Sequence, residues 1–295
     1  MNIKILKQLI LIVCMYVGYI AAEKADLVIF SYDRPLQLWA LLESVELNMS
    51  NVGDMFVIYR TSHHAFDSAY QEVINKFTHV TYLRQSDNPQ GDFKYLTLQA
   101  IKRGTHSYIF FAVDDIVVTG PVDIDEAIQV LKETKAYGFY LRLGLHLSYC
   151  YAMNASQAVP RGVVYSNTFF VWQFKDGEHD WGYPHTVDMT IYKKKTVEEQ
   201  ISRLSFISPN TLEGQWAGRA AHTNCLYGVC NVQSPIVNLP MNKVQKEYGN
   251  RYAETMSPYD SLTFFSHGLK MDIKPLQGYV NEAAHEEYEP TFITR

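Results

Sequence analysis

Two adjacent acids, Asp114 and Asp115, close the apolar run Tyr108-Ile109-Phe110-Phe111-Ala112-Val113. Paired carboxylates at the mouth of a buried strand repel each other and are poorly solvated. That costs free energy unless a cation or hydrogen-bond donors offset it. A divalent ion carrying a diphosphate would do so, because hard oxygen ligands hold Mg2+ or Mn2+ and the ion bridges to phosphate oxygens. The plainer reading has Asp114 capping the next turn and Asp115 in water. Arg34 and Arg60 fall at other strand ends, where they could neutralise phosphate or make ordinary rim salt bridges. Glu213 lies in the first turn of a helix after Ser208-Pro209-Asn210, a position the helix dipole favours for any acid. Asp180 and Asp188 flank the aromatic, turn-rich stretch Trp181-Gly182-Tyr183-Pro184-His185.

These residues need a frame. Asp26 to Ser31 is a continuous apolar run of the kind buried parallel strands show. Arg34-Pro35 opens a helix with Leu38, Leu41, Leu42 and Val45 on one stripe. Met55 to Tyr59 is a second strand, Ala65 to Phe77 a helix, and Val80 to Leu83 a third strand. Asp92 is the expected cap of a helix running to about Arg103. Tyr108 to Val113 is the fourth strand. Four strand–helix units in succession predict an α/β fold, a single Rossmann-like domain with a mostly parallel central sheet and helices on both faces. In such sheets ligands bind outside the carboxyl ends of the strands, where Asp114 and Asp115 fall. Further on, the pattern predicts a helix from about Asp125 to Thr134 and a strand from Tyr137 to Leu143. A strand pair or one long strand follows over 163–174. Then come a short strand at Met189 to Tyr192, a helix from Val197 to Leu204, and the helix carrying Glu213. From about Val237 the pattern is less regular.

The 295 residues are 47% hydrophobic and 19% charged, which excludes a disordered chain. A net charge of −5 argues against a nucleic-acid groove built on bulk positive charge. Lys4 and Lys7 precede an uncharged stretch from Leu9 to Ala22. This pattern predicts a signal peptide or an uncleaved signal anchor over 1–22, short against the roughly 20 residues of a membrane span. The chain is therefore expected to be exported or membrane-associated, with a cytosolic-face or lumenal orientation left open. Cys225 and Cys230 could close a small loop or stay as thiols; their spacing lacks the second half of a zinc motif.

The order of elements resembles a GT-A glycosyltransferase, the nucleotide-diphosphosugar transferase fold, over about residues 26 to 220. Three segments carry the resemblance. Ser31-Tyr32-Asp33-Arg34-Pro35 is similar to the turn that ends the family's first strand. Val113-Asp114-Asp115 stands where the family's metal motif closes the fourth strand, with the first acid of that triplet missing. Ile191-Tyr192-Lys193-Lys194, a helix, and Leu212-Glu213-Gly214 match the strand end and acid of inverting, family-2-like members, with Gly214 replacing the family's Asp. The resemblance implies a domain over 23–295, with a nucleotide-binding half at about 26–120, an acceptor half at about 121–236 and an irregular segment over 237–295. It implies Mn2+ or Mg2+ on Asp115, with Asp114 as a second ligand or facing sugar or ribose hydroxyls. Ser31, Asp33, Arg34, Arg60, Asp92 and Lys94 are the implied nucleotide contacts. Glu213 is the first choice of general base, with Asp188 and Asp180 as rivals.

The expected reaction moves a sugar from a nucleotide-diphosphate sugar donor to a hydroxyl of a carbohydrate or glycoconjugate acceptor, with inversion. It needs charge stabilisation on the leaving diphosphate, a carboxylate base and exclusion of water. Two other readings stand beside it. A carbohydrate-binding or degenerate member is motivated by the missing acid and Gly214. A sugar nucleotidyltransferase would want a glycine-rich phosphate loop, and 31–35 holds no glycine. No Gly-x-Ser-x-Gly elbow, Walker loop or His-Glu-x-x-His is present. The 21 tyrosines suit sugar binding or plain sheet packing. Trp172, Trp181, Tyr183 and Trp216 are candidates for an acceptor platform, with core packing favoured for each taken singly.

Overall fold

The computed structural model describes residues 21–220, 226–244, 251–253 and 256–295. Residues 1–20 of the expected leader over 1–22, Cys14 among them, and Cys225 lie outside the described residues. No helix among the described residues is long and apolar enough to cross a membrane.

One nine-stranded sheet runs through the molecule. Its strands are β1 (Ala25–Tyr32), β2 (Val52–Arg60), β3 (Thr81–Arg84), β4 (Tyr108–Val113), β5 (Gly138–Tyr140), β6 (Gly162–Tyr165), β7 (Phe169–Gln173), β8 (Thr190–Lys193) and β9 (Tyr227–Asn231). The spatial order is β6-β7-β9-β5-β8-β4-β1-β2-β3. The quartet β3, β2, β1 and β4 is wholly parallel. β8 runs against both β4 and β5, and β7 runs against both β9 and β6. The other seven point one way, so the sheet is mostly parallel in direction. Of the two expectations for 163–174, a strand pair or one long strand, the pair is found, as antiparallel β6 and β7. The expected strand 137–143 shortens to β5, because the chain turns at Leu141.

Among the described residues seven helices cover the two faces: α1 (Pro35–Asn48), α2 (His64–Lys76), α3 (Pro89–Arg103), α4 (Ile124–Thr134), α5 (Lys194–Ile201), α6 (Pro209–Ala220) and α7 (Pro258–Ser266). The alternation of β1 decides which residue meets which layer. Ala25, Leu27 and Ile29 face a core shared with α1, α2, α4 and α7. Val28 and Phe30 face the opposite core, built with α3, α5 and α6. Helix α1 is buried almost all round, since α7 and the strand Leu269–Met271 cover its outer side. A helix enclosed in this way loses the polar stripe of a surface helix. A third core forms under the antiparallel half from Tyr140, Phe170, Trp172, Phe174 and Trp181.

Asn88, not Asp92, caps α3, accepting from Gly91 N at 3.3 Å. Asp92 lies in the first turn and reaches back to Gln85 Nε2 at 3.0 Å and to Ser86 N. The C-terminal part of the chain is woven into the rim that ends β4. Residues 236–238 pair antiparallel with 116–118. Leu239 N donates to Asp115 O at 2.8 Å. Asn238 in turn bridges to His285, with Asn238 N donating to Ala284 O at 3.0 Å and Glu286 N to Asn238 O at 2.9 Å.

Candidate active site

A cavity of about 930 Å³ opens at the carboxyl ends of the parallel strands. A drug-sized ligand needs a cleft of roughly 300–1,000 Å³. Its walls bring together two groups of acids that are far apart in sequence: Asp114 and Asp115 after β4, and Asp180, Asp188 and Glu213 from the second half.

Arg34 organises the first group. Its Nη1 lies 3.0 Å from Asp114 Oδ1 and 2.9 Å from Asp115 Oδ2. Its Nε donates to Asn242 Oδ1 at 2.7 Å, and its Nη2 donates to Asn242 O. Arg34 is thus an internal counter-ion rather than a free phosphate ligand, although it lines the cavity. Asp114 is fully engaged. Oδ2 accepts from Ser31 Oγ at 2.9 Å and from Tyr32 N at 3.1 Å, while Oδ1 takes Arg34. Burial, only partly offset by Arg34, pushes Asp114 up to about 6. Asp115 is different: its Oδ1 is buried and has no hydrogen-bond partner. A buried carboxylate oxygen left open costs free energy, and a cation or a ligand hydroxyl would recover it. The donor set fits Mg2+ or Mn2+ held by one carboxylate, with water and phosphate oxygens completing it. Asp115 is the residue that could hold such an ion; both oxygens of Asp114 already serve the fold.

The other expected nucleotide contacts divide. Arg60 lies at the end of β2 with its guanidinium 4.6 Å above the Tyr32 ring, and both line the cavity. Ser31 lines it too, with its hydroxyl bonded to Asp114 and Tyr70. Asp33, Asp92 and Lys94 do not reach it. Asp33 adopts φ 53° in the turn after β1 and accepts from Ser62 N at 2.8 Å, tying β1 to β2. Lys94 Nζ points the other way, donating to Ser202 O at 3.0 Å and Leu204 O at 2.6 Å.

The second group is built around a loop pinned by Tyr192. Its hydroxyl donates to Pro184 O at 2.9 Å and accepts from Thr186 N at 3.0 Å. Helix α6 starts where expected, with Thr211 N donating to Ser208 Oγ at 3.3 Å. It delivers Glu213, whose Oε1 accepts from Val187 N at 3.0 Å. Burial, and next the charge of Asp188, pushes the Glu213 carboxyl up to about 7. A base that titrates near neutral pH is matched to proton abstraction there. Asp188 faces His285, with Oδ2 3.4 Å from Nε2. Asp180 is unlike both. Its Oδ1 lies 2.7 Å from Arg142 Nη1, and its Oδ2 accepts from Gln157 Nε2 at 3.0 Å. Burial works to raise Asp180, but Arg142 and His285 outweigh it and hold the carboxyl below its ordinary range. Asp180 is therefore a poor proton acceptor and a good anchor for Arg142.

Three of the four aromatic platform candidates are core residues. Trp172, Trp181 and Trp216 are each no more than 1% exposed. Tyr183 does line the cavity, as do Tyr151 and Cys150. Arg142, Asn238, Asn242 and His285 are cavity residues that sequence reasoning missed. Only Arg142 left a signal, as a charge inside the apolar run 137–143.

A second group with metal-ligand spacing is Asp26, Asp54 and His106, whose ligand atoms lie within 4.8 Å of one another. It sits at the amino ends of β1, β2 and β4, the opposite edge of the sheet from the cavity. Lys194 Nζ lies there, 3.0 Å from Asp26 Oδ2, so an internal cation already compensates the buried acid.

No family model matches the chain. In sequence it is similar to "Bifunctional glycosyltransferase pgtA" of Dictyostelium discoideum, 26% identical over 267 residues, which is 78% of this chain and 34% of that protein. The chain thus spans about a third of the length of the curated relative it matches. Among solved structures it is similar to S. aureus TarS 1-349, with a TM-score of 0.43 and 12% identity over 72% of this chain and 58% of the other. TarS 1-349 in complex with UDP gives 0.42 and 12% identity over 70% of this chain and 60% of the other. The chain is a relative of a glycosyltransferase with a GT-A-like order of elements.

Proposed function

We propose that this chain is a glycosyltransferase that moves a sugar from a nucleotide-diphosphate sugar to an acceptor hydroxyl, with inversion at the transferred carbon. The observation that carries the reading is one cavity joining an acid pair with an open carboxylate oxygen, Asp115 Oδ1, to a buried acid held near neutral titration, Glu213. The likeness to pgtA supports the same class.

In this mechanism the nucleotide lies over the ends of β1 and β2, beside Tyr32 and Arg60. A divalent ion held on Asp115 would supply positive charge to the leaving diphosphate. Arg60 adds a second cation on the same rim. Arg34 keeps Asp114 and Asp115 compatible with burial and fixes their direction. Glu213 takes the proton of the acceptor hydroxyl as it attacks. The covering aromatic wall, with Tyr151 and Tyr183, keeps water from the reacting carbon.

The test is incubation of purified protein with a panel of nucleotide sugars and simple glycoside acceptors, following free nucleotide diphosphate and glycosylated product. Product with inverted anomeric configuration is expected. Donor binding with no release of nucleotide diphosphate would favour a non-catalytic carbohydrate-binding protein instead.

A further inference from the structure

Buried polar atoms without partners are rare in folded proteins, and each one that occurs calls for a cause. Three of them line the same stretch of the cavity: Asp115 Oδ1, Asn238 Oδ1 and Asn242 Nδ2. Asn238 is 5% exposed and Asn242 4%. Both are held by bonds that leave these atoms over. Arg34 takes the carbonyl and the side-chain oxygen of Asn242, which orients the amide and leaves its Nδ2 unused. Asn238 is fixed by its main chain between two neighbours, with Ile116 opposite it on one side and His285 on the other.

Asp115 Oδ1 is the atom that would hold the divalent ion, which leaves one acceptor, Asn238 Oδ1, and one donor, Asn242 Nδ2. A phosphate offers acceptors only, so it satisfies Asn242 Nδ2 but not Asn238 Oδ1. A sugar hydroxyl both donates and accepts, and a ring with several hydroxyls answers both asparagine atoms at once. Position agrees with chemistry. Asn238 stands between the strand end carrying Asp115 and the His285–Asp188 pair beside Glu213. In the reaction proposed above, the transferred ring must lie between the leaving diphosphate and the base.

We propose that Asn238 and Asn242 hold hydroxyl groups of the transferred sugar and so select which sugar the enzyme accepts. This inference rests on the donor reading given under the proposed function. Asn242 acts through an amide that Arg34 has already aimed, so little ordering remains when the sugar binds.

The test compares calorimetric binding of UDP, GDP and TDP with that of their hexose derivatives, for the wild type, Asn238→Leu and Asn242→Asp. The Asp variant keeps an oxygen for Arg34 Nε and removes the Nδ2 donor. Asn238→Ala stands in if Asn238→Leu melts early, because the bonds of Asn238 to Ala284 and Glu286 are main-chain bonds. The wild type should bind one nucleotide hexose at least tenfold more tightly than its nucleotide. Each variant should lose about tenfold of the hexose affinity, the worth of one buried hydrogen bond, and keep nucleotide affinity within about twofold. Equal losses for nucleotide and hexose would overturn the inference, as would no loss of either. A wild type that binds nucleotide and hexose equally would overturn it alone and leave the donor reading standing. A wild type that binds neither would remove the donor reading and this inference together.

Discussion

His285 Nε2 lies 3.4 Å from Asp188 Oδ2, so the end of the chain reaches the acids that surround Glu213. Burial works to lower His285, but the hydrogen bond and charge of Asp188, with Asp180 beyond, hold it above the ordinary histidine range. Arg142 opposes them. The His285 cation therefore tempers the negative charge that Asp188 presents to Glu213.

Replacing His285 with Asn removes that cation and leaves Arg142 alone to oppose the charge of Asp188 at Glu213. The acid limb of the transfer profile should move to higher pH by roughly one unit, the size of effect that one nearby charge imposes. The rate against pH, measured for both proteins from pH 5 to 9, checks this; an unmoved limb would show that His285 does not act through Glu213. A stability effect accompanies it. A histidine raised in the folded state stabilises at low pH and loses that contribution as pH rises through its folded value. The variant should therefore melt closest to the wild type at alkaline pH.

Glu213→Gln should keep donor binding and lose transfer by about 10²- to 10⁴-fold, the usual worth of a general base. Wild-type transfer should rise with pH through about 7 as Glu213 ionises. The stability sign runs the other way. Because the folded-state value is raised, the protonated acid stabilises at low pH, and that contribution fades as pH climbs toward 7. Between pH 5 and pH 8 the Gln variant should gain melting temperature relative to the wild type. Thermal melts at the two ends of that window measure it.

Asp115→Asn removes the charge but keeps the size and one oxygen. Donor affinity measured with Mn2+ should fall to the value seen without metal, a drop of about tenfold or more if the ion is held as proposed. Affinity that is the same with and without Mn2+ in the wild type would take the metal out of the mechanism.

Asp180→Asn leaves Arg142 buried without its counter-charge. Breaking a buried pair by one partner costs about 3–5 kcal/mol. Urea unfolding should show a midpoint earlier by that free energy divided by the slope, with the slope itself retained. A midpoint within error of the wild type would mean that Asp180 does not hold Arg142 in solution.

The parallel half of the fold was legible because its signals are local. Each of β1 to β4 is a short apolar run bounded by turn residues, and the helices between them show their own periodicity. Asp114, Asp115, Arg34 and Arg60 could be placed on one rim from that pattern alone. Asp92 lies in the first turn of α3 and Asn88 caps it, because Asn88-Pro89 and Ser86 offer competing start signals within one turn. Nothing near Lys94 in sequence shows that the main chain at Ser202 and Leu204 is its partner. The same limit hid Asn238, Asn242 and His285. Their places depend on pairings between 116–118, 236–238 and 284–286, and such pairings leave no periodicity behind. The tryptophans illustrate the reverse. Trp172 and Trp181 stand among aromatics that resemble a sugar platform in sequence, yet their rings meet edge to face at 5.0 Å inside a core.

The bond from Arg34 to Asn242 closes a loop of 208 residues. Closing so long a loop is entropically slow, and contacts of this kind form late when a chain folds. Until it closes, Asp114 and Asp115 lack the cation's second anchor, so an isolated N-terminal fragment ending after β4 would present these acids without their native frame. The Asp114–Asp115 side of the cavity is thus assembled from both ends of that loop and cannot be cut out as a separate module.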